Sequence, residues 1–271
     1  MTNRAPRWLS AFSVLTYLFL FAPIVILIIF SFNDSKRTFV WQGFTVDWYF
    51  KLFGNREILH ALGVTMQVAV IAVVGSTILG SLLGLGLARL KFRGSGAVQT
   101  LLLLPIVTPE IIMGISLLVF FTQLFGWNGS VVQISLAHIT FCISYVAITV
   151  RARAANLDPK LEEAARDLGA SAWGAFRHVT LPLLAPGIAA GAMLAFALSF
   201  DDLVVTSFNH GVGSTTLPIN IYSAIRFGVT PQINAISTII VAVVSIALLV
   251  AWLLGAFRNA ARAAVAEAES T

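Results

Sequence analysis

Six stretches of the chain are long, apolar and poor in charge: residues 9–32, 61–88, 97–124, 131–150, 186–208 and 233–257. A hydrocarbon core about 30 Å thick takes roughly 20 helical residues to cross, at about 1.5 Å per residue. Each stretch meets that length, so the pattern predicts six transmembrane helices and an all-α membrane protein. The boundary between the third and fourth rests on Gly126-Trp127-Asn128-Gly129-Ser130, a turn-rich cluster. It lies inside a run from Ile111 to Val150 that holds no Asp, Glu, Lys or Arg, and those 40 residues are too many for one crossing. The first stretch follows Arg4 and Arg7 as a signal peptide would. At 24 residues it is longer than such a peptide's apolar region, and no small-residue cleavage pattern follows, so it reads as a retained first span.

The polar interval between the fourth and fifth stretches, residues 151–185, has a helical pattern of its own. Asp158 is placed to accept the first free amide hydrogens and Pro159 to occupy a position where a missing donor costs nothing. Acidic residues fill the first turn, and Gly169 suits a left-handed terminus. These signals predict a helix over 159–168. Ser171 predicts the cap of a second helix through Trp173, Phe176 and Val179 that stops before Pro182. Leu161, Ala164, Ala165 and Leu168 share one face of the first helix, a surface that suits either a socket on another protein or the membrane interface.

Composition agrees with lipid as the solvent: 58% of residues are apolar and 11% charged, against about 25% charged in soluble domains. One transmembrane domain over residues 1–271, with 151–185 as its main loop, is the expected organisation. With six spans, twelve of the seventeen basic residues fall on the side of the termini, which the positive-inside rule places in the cytoplasm. The net charge of +5 is therefore topological, and no basic stripe with interleaved aromatics suggests nucleic acid. Trp41, Trp48, Tyr49 and Phe53 in the first external loop fit an interfacial aromatic belt or a docking surface for an extracytoplasmic partner. Cys142 is a single cysteine, so no internal disulfide forms, and the four histidines lack ligand spacing for a metal.

Glu163-Ala164-Ala165, Gly169, Val179 and Leu181-Pro182 coincide with the cytoplasmic motif of the membrane permeases of binding-protein-dependent ABC importers, which the chain therefore resembles. Valine at 179 replaces the commoner isoleucine. The resemblance implies that this loop inserts into a groove of an ATP-binding subunit dimer, which binds ATP and magnesium, so that this chain carries no cofactor and catalyses no reaction. It further implies a second homologous permease half, a periplasmic substrate-binding protein, and residence among the lipids of a bacterial inner membrane. Leu104-Pro105, Pro109 to Gly114, Ser199-Phe200-Asp201-Asp202, Leu217-Pro218 and Ile221-Tyr222-Ser223 extend the resemblance to spermidine/putrescine permeases.

Glu110 falls near the middle of the third predicted span, and Asp201 and Asp202 in the outer half of the fifth. A charge at a helix centre costs about 2.5–3.5 kcal/mol on insertion scales, so each acid is either a structural carboxyl with a partner or part of a solute pathway. Adjacent helical residues point about 100° apart, so at most one of the two aspartates faces a pathway squarely. Three acids and no base within the spans favour a cationic solute such as putrescine or spermidine over an anion. Tyr222 and Trp127 are candidates for cation–π contact or for packing. Gly75, Gly80, Gly84 and Gly86 predict close helix packing. No lysine follows a glycine, which excludes a phosphate-binding loop for ATP. An importer permease for another solute, a stand-alone secondary transporter and a membrane enzyme are the alternatives, the last without any set of nucleophile, base and orienting group to support it.

Overall fold

The computed structural model describes residues 7–35, 40–90, 92–158, 160–227, 230–246 and 249–250. Among them every element is helical, apart from one isolated bridge between Asn33 and Phe44. The helices are α1 (Arg7–Ser31), α2 (Asp47–Gly54), α3 (Arg56–Arg89), α4 (Ser95–Val107), α5 (Glu110–Phe125), α6 (Val131–Ala155), α7 (Lys160–Asp167), α8 (Ala172–Ala175), α9 (Leu181–Phe200), α10 (Val204–Asn209), α11 (Leu217–Phe227) and α12 (Pro231–Ile246). Four helices are long and apolar enough to cross a bilayer, or five spans if the bent pair α4 and α5 counts as one. Of the sixth expected span, 233–257, the structure describes α12 to Ile246 and residues 249–250, and the remainder lies outside the described residues.

The chain divides into two compact units, residues 1–56 with 223–271, and residues 57–222. In the first, the loop after α1 is organised by Asn33. Its Oδ1 accepts from the amides of Ser35 and Gln42, and its Nδ2 donates to Val40 O. Trp48 Nε1 donates to Asn33 O at 2.8 Å, and the Tyr49 hydroxyl meets Ser31 Oγ at 2.7 Å. Trp48 and Tyr49 thus hold the loop's own core, while Trp41 and Phe53 of the same aromatic set stay exposed.

In the second unit α6 is the most buried of the long helices. Glycines let two neighbours reach its backbone. A Cβ on Gly80 of α3 would lie 2.7 Å from Val146 Cβ, and one on Gly84 would lie 2.5 Å from Ala147 O. Gly75 sits equally close to Ile139, whereas Gly86 faces open space and contributes nothing to this contact. From α9, Gly187 packs on Arg153 and Gly191 on Val146. Phe141, Cys142, Val146, Val150, Leu184 and Ala195 fill the resulting core. The turn cluster at 126–130 separates α5 from α6 as expected: Gly126 is left-handed at φ 67° and Ser130 caps α6 through the Gln133 amide.

Two predicted spans are broken rather than continuous. The third, expected at 97–124, becomes α4 and α5, bent by 109° at Thr108 and Pro109. Pro109 has no N–H to give to Pro105 O, and it pushes the residue before it out of helical geometry. Thr108 accordingly adopts φ −68°, ψ 131°. The fifth, expected at 186–208, ends at Phe200, and a short break at 201–203 precedes α10. At its other end α9 is not preceded by a stop. The chain runs from α8 through a π-helical turn, Phe176–Thr180, straight into α9, so the helix expected to end before Pro182 continues. The wide turn, with Leu181 N bonded to Phe176 O, rearranges the ladder just where Pro182 removes a donor.

Candidate functional site

The two breaks meet. Together they line a cavity of about 330 Å³ whose walls include Pro105 and Glu110 from the first, Asp201 and Asp202 from the second, and Phe141 and Tyr145 of α6. Irregular backbone within a membrane-spanning segment is tolerated where it lines a cavity or is buried in protein. No Lys, Arg or His is among the lining residues. All three acids singled out in the sequence therefore border one space, though not from the positions expected. Glu110 opens α5, where a carboxylate is favoured by the helix dipole, instead of sitting at a helix centre. Asp201 and Asp202 lie in the break after α9, so the 100° argument for adjacent helical residues does not govern them.

The two aspartates differ sharply. Asp202 accepts from Thr206 N and Thr206 Oγ1, each at 2.7 Å, and lies 3.2 Å from His138 Nε2, its side chain 7% exposed. It caps the start of α10. Asp201 is exposed and faces the cavity. His138, missed in the sequence as a lone buried histidine, is the hub: Nδ1 lies 2.7 Å from Ser199 Oγ and Nε2 2.9 Å from Thr206 Oγ1. Because the Thr206 hydroxyl donates to Asp202, it accepts from histidine, which assigns a proton to Nε2. Nearby, Gln133 Nε2 donates to Asn209 Oδ1 at 3.0 Å, and Asn209 Nδ2 donates to Gly114 O and Val205 O. A Cβ on Gly114 would lie 2.7 Å from the Phe208 ring, so α5 and α10 pack closely. Polar bonds from α6 thus fix the second break, and with it the cavity wall.

Of the aromatic candidates, Tyr222 lies on α11 and is not among the lining residues, and Trp127 stacks on Phe121 with ring centroids 5.6 Å apart. The aromatics at the cavity are Phe141 and Tyr145, which only the packing of α6 identifies.

The loop at 151–185 folds as two short helices. Asp158 Oδ1 accepts from Lys160 N at 2.9 Å. At the other end of α7, Ala170 N bonds to Ala165 O and Gly169 N to Arg166 O, a Schellman closure that needs the left-handed Gly169 at φ 90°. Ser171 Oγ then accepts from Gly174 N to cap α8. Glu163 and Ala164 are exposed, Ala165 is half-buried, and Leu181 and Pro182 are exposed at the head of α9. Leu168 is 90% and Trp173 68% exposed, so among the described residues the loop presents apolar side chains outward, Trp173 with one ring face stacked on Phe176. Glu162, beside the motif glutamate, is instead engaged, pairing with Arg89 at 2.8 Å.

Residues 76–262 match the family of binding-protein-dependent transport system inner membrane components. The chain belongs to this family. It is 41% identical over 257 residues to the putrescine transport system permease protein PotI of Escherichia coli K12, covering 93% of this chain and 91% of that protein. It is also 41% identical over 242 residues to the spermidine/putrescine transport system permease protein PotC of the same strain, covering 89% and 91%. Among solved structures, a bacterial ABC transporter involved in import of the acidic polysaccharide alginate aligns over 93% of this chain and 98% of its own, with TM-score 0.66 at 15% identity. That likeness is one of fold. This chain is thus an all-α membrane permease of that family.

Proposed function

We propose that this chain is one transmembrane half of an ATP-driven polyamine importer, and that its acidic cavity is a station on the solute's path. The observation that carries the reading is the meeting of Glu110, Asp201 and Asp202 around one space with no lining base. Asp202 is committed to its bonds with Thr206 and His138, which leaves Glu110 and Asp201 to attract a dication such as putrescine, with Tyr145 beside them in the cavity wall. The names of the two permeases at 41% identity support the same solute class.

In this reading both termini and the loop at 151–185 are cytoplasmic. Glu163, Ala164, Ala165 and Gly169, with Leu181 and Pro182 at its base, form the knob that an ATP-binding subunit dimer receives, and the exposed Leu168 and Trp173 are covered there. ATP and magnesium bind to that partner, not here. A second permease half and a periplasmic binding protein complete the assembly, and closure of the ATPase dimer drives exchange between outward-facing and inward-facing states. The permease itself transmits motion and makes or breaks no bond. The test is uptake of labelled putrescine, spermidine and molybdate into proteoliposomes holding the full complex, with and without ATP. ATP-dependent uptake of the amines alone supports the proposal. Uptake of the oxyanion refutes the solute assignment, and uptake without the ATPase refutes the importer mechanism.

A further inference from the structure

Helix α7 has no buried residue, so it is tethered to the rest of its unit more than packed against it. The tether converges on one atom. Glu162 Oε2 receives Arg89 Nη1 at 2.8 Å and Thr180 Oγ1 at 2.9 Å, while Arg166 Nη2 lies 3.8 Å from Oε1. Arg89 is the last residue of α3, and Thr180, buried, ends the π-helical turn that leads into α9. A cavity of about 310 Å³ adjoins the three side chains, lined also by Leu82, Leu85 and Phe176, so the junction is not fully packed.

We infer that Glu162 is a positioning residue that joins α7 to two spans, so that displacement of α7 reaches α3 and α9 together through one carboxylate oxygen. The physical basis is the strength and short reach of charge-assisted hydrogen bonds, here partly shielded from water. The π-helical turn gives α9 a locally rearranged ladder at the point where the pull arrives. Glu163, one residue on, points elsewhere and is exposed, so docking and transmission are divided between neighbours. The inference rests on the reading of α7 as the segment that meets the ATPase.

The experiment uses the assembled complex in proteoliposomes and reads two quantities: ATPase retained on purification, and putrescine transported per ATP hydrolysed. Glu162→Gln keeps an acceptor but removes the charge; association should stay within about twofold of wild type while transport per ATP falls about fivefold, the loss expected for about 1 kcal/mol. Arg89→Glu should behave alike, and Glu162→Arg combined with Arg89→Glu should recover most of the ratio. A second readout, the ATPase rate of the assembled complex relative to the free ATPase, follows the same joint without a solute. Unchanged coupling in both single variants, a double variant no better than the singles, or loss of the ATPase in Glu162→Gln would each overturn the inference. Failure of the docking reading would show separately, as normal ATPase association in Glu163→Lys.

Discussion

In the loop at 151–185 the bonds that shape the backbone span two to five positions: Lys160 to Asp158, Gly174 to Ser171, Gly169 to Arg166, Ala170 to Ala165. At the cavity they span dozens. His138 reaches Ser199 and Thr206 over 61 and 68 positions, Gln133 reaches Asn209 over 76, and Asn209 reaches Gly114 over 95. The loop is a locally determined shape that shows its apolar residues outward, while the cavity exists only after α5, α6, α9 and α10 have packed. A locally built segment tolerates surface change and fails in what it meets. A cavity held by buried polar bonds fails first in stability.

That contrast is broken most severely at His138. Replacing it with Leu leaves Asp202 and Thr206 buried without their partner, and the expected cost is about 3 kcal/mol of unfolding free energy. Thermal unfolding of the purified protein in detergent measures it, and unchanged stability would remove the hub from the account. Glu163→Lys tests the opposite case, since it reverses a charge on an exposed side chain. Folding and insertion should be unaffected, while association with the ATPase weakens by about 2 kcal/mol or more, as at an interface hot spot. Recovery of ATPase at wild-type yield would contradict docking through this face. Gly169→Val sharpens the comparison from within the loop. No atom lies within 4 Å of its Cβ position, so the cost comes from φ 90° alone, about 1–2 kcal/mol confined to the end of α7. The expected outcome is faster hydrogen exchange over α7 with unchanged exchange in α6. The smallest effect is expected of Ser171→Ala, which removes one cap worth about 1 kcal/mol and should loosen α8 only.

The same division explains what the sequence disclosed. Asp158, Gly169 and Ser171 act on near neighbours, so the loop's helices were legible apart from the π-helical run into α9, where tertiary continuity overrode the stop expected at Pro182. Pro109 was visible, yet continuous hydropathy hid the turn it imposes, and residues 201–203 hold neither Gly nor Pro to announce a break. The acids were found by type. Their arrangement was not, because Asp201 and Asp202 differ through His138, a residue more than 60 positions away, and Tyr145 rather than Tyr222 borders the cavity by packing alone. Nothing local distinguishes Glu162 from Glu163 either: Arg89 and Thr180 do, 73 and 18 positions away.

The central claim is that Glu110 and Asp201 draw a polycation into this cavity while Asp202 serves structure. It is tested most directly by putrescine uptake into proteoliposomes holding the full complex with both Glu110→Gln and Asp201→Asn, compared with wild type. The near-isosteric amides keep packing and remove charge that is weakly screened in a membrane cavity. The account predicts at least about a tenfold rise in KM for putrescine, equivalent to about 1.4 kcal/mol, with assembly and basal ATP hydrolysis retained. Wild-type uptake by the doubly neutralised complex would contradict it.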